Sequence, residues 1–383
     1  MKVAVTILAS CVAALLALGM VILYSSSMAQ VGAHYLVKQL IGCAIGIALC
    51  ITAAVLDYRR LKKFAWPLFA LAVVLLALVF LPHIGIRRNG AARWLGYGKT
   101  SLFQPSEFAK LALIIALAWY CERFQRQMPT FKRGMVIPGL FIAVVLGLIF
   151  KEPDVGNMLL LATVSGVVLL IGGIRLRYFL PPVIAGALAV GTFIYHNPMR
   201  SERVYSWMHL EETKKAKGLQ AYEAMIALGS GGFTGKGLGD GRQKLGFVPE
   251  NHTDFIFSII GEELGLIATL LVIAAFVAIV FCGIYIAMNS CDTFGFLLGV
   301  GITFLIGLQA FINIGVVTGA LPNKGLPLPF ISYGGSNLLM MLVSVGLLLS
   351  IARQAREAEG VMQGMMVGGD VANPFAKRAQ LQA

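Results

Sequence analysis

The sequence predicts an all-α polytopic membrane protein with about ten transmembrane helices and one large extracytoplasmic loop. Of the 383 residues, 58% are hydrophobic and only 13% are Asp, Glu, Lys or Arg, which is about half the charged share of an average soluble domain. Mean hydropathy is +0.81. The apolar residues form runs that reach the ~18–20 residues needed to cross a bilayer. These observations exclude a soluble enzyme, a disordered chain and a disulfide-rich scaffold.

Apolar runs bounded by charged breaks define the predicted spans. The first run exceeds the ~7–15 apolar residues of a signal peptide, which favours an uncleaved helix. We therefore expect a transmembrane domain over residues 1–356 and a disordered cytoplasmic tail over 357–383. The predicted spans are 3–24, 36–56, 64–82, 107–121, 135–150, 157–174, 179–196, 255–287, 293–317 and 333–352.

Lys and Arg residues set the predicted orientation. They concentrate in short connections at 59–63, 123–133, 175–177 and 353–356, and the positive-inside rule assigns such loops to the cytoplasm. Both termini are then cytoplasmic. The net charge is +13, and about half of the basic residues lie instead on the outer side. Most of these are in the Arg-rich segment 83–110 and in the large loop 197–254, where we expect short amphipathic helices.

Two polar clusters stand at predicted outer helix starts. In the first, Glu107 and Lys110 are three residues apart and share a helix face. They form either an ion pair that lets the helix end enter the membrane or a polar site that faces a cavity. In the second, Asp154 follows Glu152 and Pro153 in the first turn of the next helix. Asp154 is explained equally well as a helix cap and as part of a cavity mouth.

A third cluster contains Glu250, His252 and Asp254 at the outer start of the long 255–287 span. Asp254 is either an N-cap or a carboxylate in a half-apolar setting that can accept a proton. His252 is a second candidate base. Glu262 and Glu263 lie about two turns deeper, roughly 12–13 Å along the helix, and we expect them to pair with a buried cation or to bind water.

Two further segments are rich in Gly or Pro. The run 229–239 lacks a preceding strand and the Gly-Lys-Ser/Thr ending of a phosphate loop. Its glycines either present backbone N–H groups to an anion or pack closely against the membrane surface, and the second interpretation is favoured. The segment 321–336 contains one charge, Lys324, and also Ser332. It is either a surface loop or a re-entrant loop, and the latter requires shielding by protein or contact with a water-filled cavity.

Six motifs lie between about residues 20 and 352. They are Tyr-Ser-Ser-Ser at 24–27, Gln-Pro-Ser-Glu-Phe-Ala-Lys at 104–110, Glu-Pro-Asp-Val-Gly at 152–156, His-Thr-Asp-Phe-Ile-Phe at 252–257, Gly-Glu-Glu-Leu-Gly at 261–265 and Pro-Phe-Ile-Ser-Tyr-Gly-Gly-Ser at 329–336. Together these motifs resemble the SEDS family (shape, elongation, division and sporulation). The runs 239–245 and 324–326 are more similar to the division branch, FtsW, than to the elongation branch, RodA.

This resemblance implies a peptidoglycan glycosyltransferase that polymerises lipid II on the outer side of the cytoplasmic membrane. The 4-hydroxyl of the acceptor GlcNAc attacks C1 of the donor MurNAc, and undecaprenyl pyrophosphate leaves. The essential Asp of the family falls on Asp254, which we assign as general base. Polar cavity positions fall on Glu107, Lys110 and Asp154, with supporting roles for His252, Glu250 and Ser332. Arg93 and Lys324 add cations for the anionic pyrophosphate.

The resemblance also implies partners and a location. We expect lipid II as substrate, a class B penicillin-binding protein as transpeptidase, other divisome proteins, and no nucleic acid. The expected place is the inner membrane at the division septum. No cofactor is certain, although a divalent cation such as Mg²⁺ is compatible with a pyrophosphate substrate. The alternatives are a lipid II flippase, a non-catalytic divisome scaffold, and the elongation-type role.

Overall fold

The computed structural model describes residues 1–32, 34–88, 91–97, 100–213, 218–241, 253–323 and 325–367. Helices dominate this part of the chain, and one small sheet lies between the third and fourth helices. The helices are α1 (Lys2–Val31), α2 (His34–Val55), α3 (Leu61–Leu78), α4 (Pro105–Arg123), α5 (Ile137–Lys151), α6 (Val155–Ile171), α7 (Leu176–His196), α8 (Pro198–Met208), α9 (Leu210–Thr213), α10 (Leu219–Ser230), α11 (Ile256–Met288), α12 (Thr293–Val317) and α13 (Gly335–Val367).

The ten predicted spans each coincide with one helix, which confirms an α-helical membrane protein. Eight helices among the described residues are long and apolar enough to cross a bilayer. The remaining two predicted spans are α4 and α6. Helix α6 has 17 residues, and α4 carries four charged residues along its 19. Neighbouring helices pack around α4 and α6 and bury many of their residues. Protein therefore shields the polar side chains of α4 and the short helix α6 from lipid.

The Arg-rich segment between α3 and α4 folds as a three-stranded antiparallel sheet. The sequence patterns did not predict this sheet. Its strands are β1 (Gly85–Arg88), β2 (Ala91–Tyr97) and β3 (Thr100–Phe103), in the order β1-β2-β3. Gly85 pairs with Leu95, and Leu95 pairs with Phe103. The register shifts once in each pair of strands. We call this end of the helix bundle the sheet end.

The opposite end, which we call the basic end, contains residues 57–63, the end of α4, the start of α12 and the part of α13 around Ser350. Tyr58 donates a hydrogen bond to Asp292 Oδ1 over 2.8 Å. Lys62 Nζ lies 2.8 Å from both Asp292 Oδ2 and Glu122 Oε1. The Tyr58 amide donates to Ser350 Oγ. These contacts join four segments that are far apart in the sequence.

Helices α4, α12 and α13 form the centre of the bundle, and α7 lies at its periphery. Most residues of α12 and of the apolar part of α13 are buried, and α4 buries nearly its whole length. Helix α7 buries none of its residues. The polar groups of α4, α12 and α13 are therefore enclosed by protein.

Short helices occupy the described part of the large loop 197–254, as expected, namely α8, α9 and α10. The loop is attached to the bundle because Trp207 Nε1 donates to the Gly319 carbonyl over 2.7 Å. Asn323 Nδ2 donates to Gln220 Oε1 over 3.1 Å. The loop therefore lies against the connection between α12 and α13.

The glycine-rich run after α10 packs closely against a kink in α11, whereas the sequence favoured close packing against the membrane surface. Gly265 has φ 77° and ψ −170°, and this interrupts the helical hydrogen bonds. Backbone groups of the run replace them. Lys236 and Gly237 donate to the carbonyls of Glu262 and Glu263, and Leu266 donates to the Gly232 carbonyl. A side chain at 235 or 265 would collide with this backbone.

The connection 318–334 enters the protein rather than lying on its surface. Leu326, Leu328 and Ile331 are fully buried. The backbone carbonyls of this non-helical segment accept hydrogen bonds from α12: Gln309 donates to Pro327, and Asn313 donates to Leu326. A plain surface loop is therefore excluded for the described part of this segment, and protein supplies the shielding that a re-entrant loop requires.

Candidate functional site

The Glu107–Lys110 pair lies in the first turns of α4 at the sheet end. Pro105 opens the helix at N1, where a missing amide hydrogen has no cost. The two side chains are 2% and 1% exposed, and Lys110 Nζ lies 2.8 Å from Glu107 Oε2. Because both charges are buried together, the pair is an internal polar site rather than a surface ion pair.

Amide side chains from three other helices complete the surroundings of this pair. Asn337 Nδ2 donates to Glu107 Oε2 over 2.8 Å. Lys110 Nζ donates to Gln309 Oε1 over 3.0 Å and to Asn157 Oδ1 over 3.3 Å. The sequence motifs did not indicate a role for these amides. A signal was nevertheless present, because Gln309 and Asn313 are two polar residues four positions apart inside an apolar span, and polar residues within the membrane mark functional positions.

Asp154 has the helix-cap role, one of the two interpretations that the sequence left open. It is the N-cap of α6, and its Oδ1 accepts from the Asn157 amide over 3.1 Å. Its Oδ2 accepts from Asn157 Nδ2 over 3.0 Å. Asn157 thereby connects Asp154 to Lys110. The structure thus brings Glu107, Lys110 and Asp154 into one network, which we call the central network together with Asn157, Gln309 and Asn337.

Arg93, on β2, covers the connection between α5 and α6. Its Nε donates to the Glu152 carbonyl over 3.1 Å, and its Nη2 donates to the Pro153 carbonyl over 3.0 Å. Its Nη1 lies 3.8 Å from Asp154 Oδ2. The sheet therefore supplies a cation at the edge of the central network. Arg87, on β1, is exposed.

Glu152 is the most isolated carboxyl group of the site. The residue is 0% exposed, and within the described part of the chain neither of its carboxyl oxygens has a hydrogen-bond partner. Burial, together with the nearby charge of Asp154, raises the pKa of Glu152 to about 8, although Arg93 opposes this shift. Glu152 is therefore mostly protonated at neutral pH.

Asp254 lies half-buried immediately before α11. Phe255 occupies the N-cap position of that helix, so the N-cap interpretation of Asp254 is wrong by one residue. Its carboxylate lies against Gly325, where a Cβ would be 2.5 Å from Asp254 Oδ2. The backbone is held by Asn313, which donates to the Asp254 carbonyl over 2.8 Å. Asn313 thus fixes both Asp254 and the buried loop.

Ser332 positions the other side of this junction. Its Oγ donates to the Thr253 carbonyl over 2.6 Å and accepts from the Leu328 amide over 2.8 Å. It therefore ties the residue before Asp254 to the buried loop. Three predicted site residues, Glu250, His252 and Lys324, lie outside the described residues.

Of the deeper glutamates of α11, Glu262 pairs with a cation that is one-third exposed rather than buried, and Glu263 accepts from a serine hydroxyl. Glu262 Oε1 lies 2.9 Å from Lys236 Nζ, and Glu263 accepts from Ser25 Oγ over 2.7 Å. Within the part of the chain that the structure describes, no group of three or more His, Cys, Asp or Glu side chains is arranged to hold a metal ion. The described arrangement offers a carboxylate at Asp254, a buried cation at Lys110 and a partly buried one at Arg93.

Comparison with known proteins gives one consistent match. The family model FtsW/RodA/SpoVE, described as a cell cycle protein, matches residues 5–357. The probable peptidoglycan glycosyltransferase FtsW of Geobacter metallireducens is 38% identical over 349 residues, covering 90% of this chain and 93% of the relative. Stage V sporulation protein E of Bacillus subtilis is 37% identical, covering 89% and 95%.

Two solved structures have the same fold. One, described as "Structural coordination of polymerization and crosslinking by a peptidoglycan synthase complex", has a TM-score of 0.75 and 30% identity, covering 91% of this chain and 97% of the other. The second is the rod shape determining protein RodA of Thermus thermophilus. It has a TM-score of 0.68 and 28% identity, covering 91% and 96%. The similarity extends over nearly the entire membrane domain.

Proposed function

The chain belongs to the FtsW/RodA/SpoVE family of cell cycle proteins, and we propose that it is a peptidoglycan glycosyltransferase that polymerises lipid II during cell division. The observation that carries the proposal is the junction of Asp254 with the buried loop, beside the enclosed central network. Several relatives with 36–39% identity are named as probable peptidoglycan glycosyltransferases.

In the proposed reaction, Asp254 is the general base. Its carboxylate takes the proton of the acceptor 4-hydroxyl while the hydroxyl oxygen forms a bond to C1 of the donor. The bond between C1 and the pyrophosphate oxygen breaks, its electron pair leaves with the pyrophosphate, and the configuration at C1 inverts. A half-buried carboxylate suits this role because it is accessible to substrate and only partly hydrated.

The cations of the site stabilise the departing pyrophosphate. Arg93 is better placed than Lys110 to contact the pyrophosphate, because it lies at the edge of the network and is about one-third exposed. Lys110 is enclosed and paired with Glu107, so its charge acts through the field inside the network. Lys324 is proposed as a third cation, with Glu250 and His252 as supporting groups. Ser332 acts as a positioning residue through the Thr253 carbonyl.

The proposed cellular setting follows from orientation and from the relatives. The basic connections at the basic end support a cytoplasmic location for that end and for both termini. The sheet end then faces outward, where lipid II is polymerised, in the inner membrane at the septum. The similarity to a chain of a peptidoglycan synthase complex supports a class B penicillin-binding protein as partner, with other divisome proteins assembled around the pair.

The decisive experiment is polymerisation of purified lipid II by the reconstituted chain, with and without the partner transpeptidase. Asp254→Asn is expected to reduce polymer formation by at least ~10²-fold, as removal of a general base does. Asp240→Asn is a matched control, because Asp240 is an exposed carboxylate of the same outer loop and should leave polymerisation unchanged.

Three outcomes discriminate among the alternatives. Normal polymer from folded Asp254→Asn protein would refute the general-base assignment. Transfer of lipid II across liposome membranes without any polymer from the wild type would establish a flippase. Normal division of cells whose only copy is Asp254→Asn would indicate a scaffold. Thermal unfolding in detergent verifies that each variant is folded.

A further inference from the structure

An apolar cavity of about 510 Å³ lies between α2, α3, α4 and α13. Helix α2 packs mainly against α13 and α3 mainly against α4, so the two pairs leave a space between them. Leu56, Phe64, Ala112 and Val343 are representative of its lining. Its volume falls within the roughly 300–1,000 Å³ of ligand pockets. Because apolar cavities exclude water, a hydrocarbon chain is the occupant that fits this lining in a membrane.

The charged part of the lining is confined to the basic end. Only Asp57 and Arg60 among the lining residues carry charge. The Asp57 carboxylate accepts from the Arg59 amide over 2.9 Å and caps the short helix 58–60. Arg60 and Lys63 are exposed, and no ion pair within the described ranges involves either side chain. The mouth of the cavity therefore has two cations, Arg60 and the adjacent Lys63, against one carboxylate, Asp57, so its net charge is positive.

The neighbouring basic side chains Arg59 and Lys62 differ from Arg60 and Lys63 because they lie close to carboxylates. Lys62 is held between Glu122 and Asp292 at 2.8 Å from each, and Arg59 lies 3.8 Å from Asp292. These two residues stabilise the bundle. Arg60 and Lys63 are one helical turn apart and remain available for a ligand. Basic pockets between helices on the cytoplasmic side are typical binding places for anionic lipid headgroups.

We propose that this cavity binds one anionic phospholipid of the cytoplasmic leaflet. An acyl chain occupies the space between α3 and α13, and the phosphate contacts Arg60 and Lys63. The lipid-linked substrate is the less suitable occupant, because its pyrophosphate reacts at the sheet end whereas the cationic mouth of the cavity is at the opposite end.

The bound chain also contacts the helix that carries the central network. Phe108 and Leu111 line the cavity, and each directly follows a residue of the buried pair, Glu107 and Lys110. The phospholipid therefore packs against the back of the α4 turn that holds those charges. Occupancy of the cavity supports the position of that turn, so lipid composition can influence the site from the other leaflet.

The test uses the full chain in nanodiscs of phosphatidylcholine with a minor fraction of phosphatidylglycerol, followed by native mass spectrometry after partial delipidation. The wild type is expected to retain phosphatidylglycerol preferentially. Arg60→Gln should reduce that preference about fivefold, from ~1 kcal/mol per basic residue near the surface. Ala112→Leu should reduce retention of both lipids, because its added carbons occupy the cavity.

Two controls match these variants. Arg126→Gln removes an exposed charge from another basic loop, and Leu71→Phe adds apolar volume on an exposed face of α3; both should retain the wild-type preference. Equal retention by wild type, Arg60→Gln and Ala112→Leu would overturn the proposal. So would displacement of phosphatidylglycerol by an equimolar polyprenyl pyrophosphate, which would identify the substrate tail as occupant.

A second readout applies if Ala112→Leu does not fold. Phe64 is 56% exposed and lines the cavity, so a benzophenone amino acid at this position reports on the occupant. A cross-link to phosphatidylglycerol that is reduced by Arg60→Gln supports the proposal. Cross-links that are independent of headgroup, or absent, overturn it.

Discussion

At the scale of single residues, Glu152 shows how burial without a partner changes a carboxyl group. Arg93 lies close by, yet its Nε and Nη2 donors bind backbone carbonyls of residues 152 and 153. Ionised Glu152 would be a buried charge beside Asp154, which explains the rise of its pKa to about 8. The sequence shows a carboxyl group at this position. Its lack of a hydrogen-bond partner depends on Arg93, which lies 59 residues earlier on β2 and donates to the backbone of Glu152 instead.

The raised pKa predicts a specific pH dependence of stability. In the unfolded chain Glu152 ionises near its ordinary value, while the folded protein keeps the proton up to about pH 8. Stability should therefore decline as pH rises from about 4.5 to 8 and then level off. Glu152→Gln is expected to remove this component and to raise the melting temperature at pH 9 but not at pH 5. Thermal unfolding in detergent at several pH values measures it, and identical profiles for both proteins would contradict it.

The Glu107–Lys110 pair predicts strong coupling between two substitutions. Lys110→Met leaves the Glu107 charge buried without its cation, so we expect a loss of about 3–5 kcal/mol. Glu107→Gln/Lys110→Met removes both charges and should recover much of that loss. Glu357→Gln is the matched control, because it breaks an exposed pair with Arg353 and should cost about 0–1 kcal/mol. Chemical denaturation of the four proteins tests this, and additive effects in the double variant would argue against a coupled pair.

At the scale of elements, the kink of α11 depends on one glycine. Gly265 has positive φ, and a Cβ there would lie closer than 3.0 Å to the backbone of Phe233 and Gly235. Gly265→Ala is expected to destabilise the protein by at least about 1–2 kcal/mol from the backbone conformation alone. Gly191→Ala is the control, because nothing lies within 4 Å of that position in α7 and alanine favours helix. Melting temperatures compare the two, and a neutral Gly265→Ala would show that the kink can straighten.

The elements differ in how far the sequence predicts them, for physical reasons. Spans were predictable because each needs a long apolar run, and even α4, with its buried charges, kept enough apolar length. The sheet was missed because its strands have four to seven residues and lack clear alternation. Asn89-Gly90 between β1 and β2 was the one hairpin signal. The sequence could not decide whether loop 318–334 lies on the surface or is buried, because its burial depends on hydrogen bonds from Gln309 and Asn313 of α12.

At the scale of the whole molecule, the bundle has a polar cluster at each end, and only one of them is a candidate for catalysis. At the basic end, burial opposes the ionisation of Asp292, but hydrogen bonds from Lys62, the Gly295 amide and Tyr58 outweigh it. The pKa of Asp292 therefore lies below its ordinary value. This carboxylate holds the start of α12 to the 58–62 segment and serves the stability of the bundle.

The two ends should therefore respond differently to substitution. Asp292→Asn is expected to lower stability by about 1–3 kcal/mol at neutral pH and to leave the polymerisation rate of the folded protein within about twofold. Because the depressed pKa contributes stability only above about pH 4, the difference from wild type should shrink at lower pH. Unfolding curves together with lipid II polymerisation measure both properties. A large loss of activity at unchanged stability would assign the basic end a part in the reaction.

The buried loop 318–334 also constrains how the protein is made. The Ser332 carbonyl accepts from Nε2 of Gln39, which is 293 residues earlier. The Ile331 backbone packs closely against Gly19 of α1. A nascent chain that has released α1 and α2 from the translocon must therefore leave space beside them for a segment that is synthesised much later. A chain that ends before residue 318 lacks the junction at Asp254, and its Gly19 and Gln39 lack these contacts.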